Sequence, residues 1–85
     1  MNISKQEQRV LHVLAQGGLI RYERGGNGKI KNVTCFTRDG HVLSDCTFGV
    51  FQKLLKRRFV KSMGGKPYRI TRSGRKAVRP QLDNR

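Results

Sequence analysis

Near the start of the chain apolar positions recur at helical spacing: Val10, Leu11 and Leu14 follow the polar run SKQEQR. This spacing predicts a helix with one buried face. Ser4-Lys5-Gln6-Glu7 reads as a capping box, in which Ser4 accepts from the amide of Glu7 and the Glu7 side chain reaches back. Gly17-Gly18 supplies a left-handed stop, so the helix is expected from about Lys5 to Gln16. LIRYER, KIKNVTCFTR and HVLSDC follow, separated by GGNG and DG. Asn27-Gly28 and Asp39-Gly40 are hairpin signals, read as two-residue turns with positive φ at both central residues. They predict a β-meander over about Leu19–Ser44, with Val33, Cys35, Val42 and Cys46 toward the core and Phe36 and Leu43 on the other face.

A second helix is expected where Phe48, Phe51, Leu54 and Leu55 recur behind Asp45 or Thr47, either of which could cap it. Its outer face holds Gln52, Lys53, Lys56 and Arg57, and it ends near Arg58. FVKSM and PYRIT then form a hairpin through Gly64-Gly65-Lys66. Thr71 caps a final helix with Ala77 and Val78 inward and Pro80 as its stop. The whole predicts a small α+β single domain: N-terminal helix, β-meander, then helix–hairpin–helix. It spans residues 1–80, with QLDNR at 81–85 as a loose tail.

Charge changes the picture most. The chain of 85 residues carries a formal net charge of +14. Residues 1–52 hold seven Lys/Arg against four acids, whereas residues 53–85 hold twelve against Asp83 alone. Such one-sidedness points to a polyanionic partner, either nucleic acid or an acidic or nucleic-acid-binding protein. Hydrophobic residues make up 35%, enough for a small core, and no apolar run approaches the ~18 residues of a membrane span. The N-terminus lacks the basic-then-apolar order of a signal peptide, so a cytoplasmic protein without a membrane partner is expected. Two cysteines make no disulfide framework. With a two-residue Asp39-Gly40 turn, Cys35 would pair with Ser44 and Cys46 would lie diagonally, poorly placed for a bridge. Two buried thiols are the expectation.

Motifs for chemistry are missing. Gly25-Gly26-Asn27-Gly28-Lys29 has Glu23 and Ile30 where a phosphate loop needs glycine and Ser or Thr. Cys35, Cys46, His12 and His41 offer no pair at metal-ligand spacing, and His12 reads as packed or half-exposed. No nucleophile elbow or carboxylate pair stands out. No catalytic residue, metal or cofactor is expected, and the protein is read as no enzyme.

What remains is the basic run KPYRITRSGRKAV and the helix before it. The order VFQKLLKRRFVKS, GGKPYRIT, SGRKA resembles the end of a winged-helix domain, in which a recognition helix leads into a two-stranded wing and a closing helix. The likeness implies major-groove and phosphate contacts. One departure is that strand-like HVLSDC stands where the supporting helix belongs. Another is that only Gln52 suits a base edge. Sequence-independent DNA binding is the more natural expectation, with a winged-helix-like transcription regulator as the alternative. On charge and periodicity the candidate partner-binding residues are Lys53, Lys56, Arg57, Arg58, Lys61, Lys66, Arg69, Arg72, Arg75 and Lys76.

SKQEQRVLHVLAQGG, DCTFGVFQKL, KPYRIT and the terminal QLDNR also resemble, in order and over nearly the whole chain, the small bacterial YjhX-type toxins. That resemblance implies the toxin of a toxin–antitoxin pair that binds and inhibits DNA topoisomerase I. It also implies a neutralising antitoxin of acetyltransferase-like type. It assigns no site residues.

Overall fold

The computed structural model describes residues 3–78. Helix α1 spans Lys5–Ala15 and begins with the capping box: the Glu7 amide donates to Ser4 Oγ at 3.1 Å and the Ser4 amide to Glu7 Oε1 at 3.2 Å. Val10, Leu11 and Leu14 are buried along one stripe, joined by Glu7 itself. Gly17 closes the helix at φ 109°, with the Gly17 amide on the Leu14 carbonyl and the Gly18 amide on that of Val13. These two bonds satisfy carbonyls that the last turn leaves open, and the left-handed residue between them suits glycine.

Strands β1 (Leu19–Arg24), β2 (Ile30–Phe36) and β3 (Val42–Leu43) form the antiparallel meander in that order. Both turns differ from the two-residue form. Gly25 and Lys29 close the first around Gly26-Asn27-Gly28, and Thr37 and His41 close the second around Arg38-Asp39-Gly40. In each only the last loop residue has positive φ, Gly28 at 80° and Gly40 at 89°. Each is a three-residue loop with a glycine bulge. The extra residue moves the pairing by one, so Cys35 meets Leu43 rather than Ser44 and Phe36 meets Val42. Since a one-residue slip exchanges the faces of a strand, Leu43 turns toward the core and Val42 turns outward, 63% exposed. The expected positions of Val42 and Leu43 are thus exchanged.

Thr47, rather than Asp45, caps α2 (Phe48–Lys56), its hydroxyl accepting from the Val50 amide at 3.2 Å. Val50, Phe51 and Leu54 are buried. Phe48 and Leu55, expected inside, are each 37% exposed, because the inward stripe is narrower than the apolar set. This helix ends in the same pair of bonds as α1: the Arg58 amide reaches the Leu55 carbonyl, and the Phe59 amide that of Leu54. Here the left-handed position is held by Arg58 at φ 62°, the one non-glycine residue with positive φ among those described.

Strands β4 (Val60–Lys61) and β5 (Arg69–Ile70) pair as the second hairpin, and Thr71 caps α3 (Arg72–Ala77) by accepting from the Gly74 amide. Gly74 lies against the Phe59 carbonyl and the Ile70 side chain, too close for any Cβ. Ala77 and Val78 are half-buried against the core as expected, while the proposed stop at Pro80 and the tail 81–85 fall outside the described residues. A single antiparallel bridge, Ile20 to Tyr68, joins the two sheets, with both amide–carbonyl bonds made at 2.8 and 2.9 Å. The strands therefore follow one another in space as β4, β5, β1, β2, β3. Ile20, Cys35, Phe51, Leu54, Phe59 and Val60 meet the α1 stripe in one core, with the Tyr68 ring edge-on to Phe51 at 4.9 Å. Burying these apolar faces is what holds so short a chain together.

Candidate functional site

The acidic residues decide which cations are already engaged. Asp45 takes Arg9, with Nη1 to Oδ2 at 2.8 Å, and Glu23 accepts from the Asn32 amide nitrogen at 3.3 Å. Asp39 sits exposed in its turn. Glu7 is 2% exposed, and Arg57 Nε lies 3.3 Å from its Oε2. That oxygen has no hydrogen bond of good geometry, so the nearby positive charge is what compensates for its burial. Arg57 therefore leans from the end of α2 onto α1, its side chain only 28% exposed. It does not join Lys53 and Lys56 on an outer face. The expected trio is reduced to two, because the buried carboxylate fifty residues earlier captures the third.

From residue 53 to residue 78 there are ten Lys/Arg and no Asp or Glu. Lys53 and Lys56 are exposed on α2, beside exposed Gln52. Arg58 is exposed at the left-handed joint, and its carbonyl accepts from the Thr71 hydroxyl at 2.8 Å, tying this turn to the start of α3. Lys61 and Arg69 stand opposite each other across β4–β5, both exposed. Like charges directly opposite are unfavourable in a sheet, so the pair raises the local potential at a cost to stability. Lys66 lies near the tip, beyond Gly64 and Gly65, where its carbonyl accepts from Ser62 Oγ at 2.6 Å. Arg72, Arg75 and Lys76 are exposed on α3, and the last two occupy its final turn, where cations complement the helix dipole. The structure thus brings together Lys61 with Arg69 across the hairpin, and Arg58 with the start of α3. Arg57 it assigns to the fold.

Apolar groups interleave with these charges. Phe48 and Leu55 are half out of α2, and Met63 near the hairpin tip is 65% exposed. The two cysteines are buried and unbridged. The Cys35 thiol donates toward the Cys46 sulfur, which lowers the Cys46 thiol. That bond and then burial push the Cys35 thiol well above its ordinary range, so Cys35 is held as a neutral thiol. His12 is half-buried, its ring nitrogen 3.3 Å from the Gln16 side chain. No group of three His, Cys, Asp or Glu among the described residues could hold a metal ion, and no helix there is long and apolar enough to cross a membrane.

Sequence reasoning overlooked the sheet. Arg21 lies over the Phe36 ring at 6.0 Å and Arg24 over Tyr22 at 5.3 Å. The signal was in LIRYER: alternation places Leu19, Arg21 and Glu23 on one side, and their partners Phe36, Thr34 and Asn32 share it.

The family model described as "putative toxin of bacterial toxin-antitoxin pair" matches residues 1–85. Among curated relatives, a UPF0386 protein of Beijerinckia indica is 62% identical over 85 residues, covering all of both chains. A UPF0386 protein of Ruegeria is 59% identical and one of Aliivibrio fischeri 52% identical, again over both full lengths. No solved structure matches the chain.

Proposed function

The chain belongs to the YjhX toxin family of bacterial toxin–antitoxin pairs, and from that premise we propose that it acts without catalysis, as an inhibitor that docks on DNA topoisomerase I. A toxin of such a pair is matched by an antitoxin; in this reading the antitoxin is acetyltransferase-like and covers the same surface. The observation that carries the docking mode is the run of ten cations from Lys53 to Lys76 with no acid among them. Of these, Lys53 and Lys56 stand exposed on α2 with exposed Leu55 between them in sequence, Phe48 lies exposed at the start of that helix, and Met63 is exposed near the hairpin tip. Charge gives such a surface reach and orientation toward an acidic or DNA-entry face of an enzyme. The exposed apolar groups give it area that salt does not screen. Chemistry at the target has little support: both thiols are buried, and the acids are engaged or scattered.

The test is supercoil relaxation by purified topoisomerase I with increasing amounts of this protein, beside a gel shift of the same DNA without enzyme. Inhibition should rise with stoichiometry, saturate, and leave the enzyme's mass unchanged. Inactivation at substoichiometric amounts, or a covalent change on the enzyme, would reject the non-catalytic reading. Relaxation untouched at saturating toxin would reject the target.

A further inference from the structure

The outer face of the sheet is uncovered by either long helix, and its residues fall into a row. Antiparallel pairing places Phe36 opposite both Leu19 and Val42, and Lys61 opposite Arg69. The Ile20–Tyr68 bridge sets Leu19 and Arg69 side by side on the outer side of the joint. Leu19, Arg69, Arg21 and Phe36 line one shallow depression together with Arg38. Across β4, β5, β1, β2 and β3 the row therefore reads Lys61, Arg69, Leu19, Phe36, Val42. It spans roughly 19 Å at the ordinary strand spacing. Arg21 extends the row above Phe36.

We propose that this face binds single-stranded nucleic acid, with an unpaired base stacked on Phe36 and phosphates held by Arg21, Arg69 and Lys61. Its charge excludes a second copy of the chain, since two such faces would oppose cation to cation. Among the described residues, Lys61, Arg69, Arg21 and Arg38 make no ion pair. Two acids lie near: Glu23, two residues beyond Arg21 on the same face and lining a depression with Arg21 and Phe36, accepts from the Asn32 side chain, and Asp39 lies in the turn. A broad sheet cannot enter a duplex groove as a helix does, whereas a half-exposed aromatic ring flanked by arginines is a stacking platform for a strand whose bases are free. This reading concerns the sheet and does not depend on docking through α2.

The experiment is fluorescence anisotropy of the full chain with a labelled twelve-nucleotide oligothymidylate and with a duplex hairpin of equal charge, over a range of salt. The single strand should bind more tightly than the duplex. Phe36→Leu keeps the apolar packing without the π face, and should weaken oligothymidylate binding about tenfold, in line with one stacked base. Its salt slope and melting temperature should be unchanged. Lys61→Gln with Arg69→Gln should flatten the salt slope, by about 0.7 for each phosphate no longer neutralised. The pair Lys53→Glu, Lys56→Glu should keep the slope of the unaltered protein and the preference for the single strand. Equal affinity for duplex and single strand, or a Phe36→Leu protein that is folded and binds as before, would overturn the proposal. So would sheet substitutions that abolish binding of a protein partner and spare the oligonucleotide.

Discussion

Up to Asp45, three arginines are met where they stand: Arg9 by Asp45 at 2.8 Å, and Arg21 and Arg24 by aromatic rings. Beyond Thr47 only Arg57 is held by an acid among the described residues, and it reaches back to α1 to find Glu7. The two regions also end their helices differently. The same pair of capping bonds closes α1 at Gly17 and α2 at Arg58, although glycine is the residue that conformation favours. Cation is set opposite cation at Lys61 and Arg69 as well. In the first region three of the four arginines have a partner beside them, and the second region tolerates strain to keep charges outside. Natural proteins make that trade where a surface is needed for binding.

The largest effect expected is at the exception. Arg57→Ala leaves the Glu7 carboxylate buried beside no positive charge, and should cost about 2 to 3 kcal/mol, with the partial exposure of Arg57 holding the cost below that of a fully buried pair. Denaturant unfolding measures it; Lys53→Ala and Lys56→Ala should lie within about 0.5 kcal/mol of the parent in the same assay. A neutral Arg57→Ala would erase the distinction between the regions.

Next in size, Lys53→Glu with Lys56→Glu should weaken topoisomerase binding about tenfold or more, as reversed charges at a docking face do, while the unfolding midpoint stays put. Surface plasmon resonance beside a melt separates the two. Arg58→Gly should stabilise the fold by about 0.5 to 1 kcal/mol through relief of the left-handed arginine, and it should bind polyanions slightly less well. If Arg58→Gly instead destabilises, the arginine side chain contributes packing, and the contrast between the helix ends falls. The smallest change is Arg9→Ala, about 0.5 kcal/mol in the same unfolding assay, as expected for an exposed ion pair that salt screens.

Much of this fold was legible because its signals are local. Ser4 and Glu7 form the box their spacing announces, Thr71 caps α3, and the glycine-bearing turns fall at 25–29 and 37–41. What was not legible is set by single residues of register or by distant partners. Asn-Gly and Asp-Gly serve two- and three-residue loops alike, and that one residue exchanged Val42 with Leu43. Arg57 has the spacing of an outward cation on α2, and nothing near it in sequence says that Glu7 is buried within reach. The basic surface itself was visible as composition. The sheet row from Lys61 to Val42 was not, since it depends on the bridge between Ile20 and Tyr68, forty-eight positions apart.

The central claim is that Lys53 and Lys56, the cations kept outside on α2, serve docking on a protein rather than coating of DNA. A pull-down of nuclease-treated topoisomerase I at low salt and above about 200 mM tests it, since a module making six or more phosphate contacts loses most of its DNA affinity over that range. The account predicts that capture persists after nuclease treatment and at the higher salt, sustained by the apolar groups of α2 and the hairpin tip. It also predicts that the Lys53→Glu, Lys56→Glu protein captures much less of the enzyme. Capture that disappears once nucleic acid is removed, with the charge-reversed protein behaving like its parent, would contradict it.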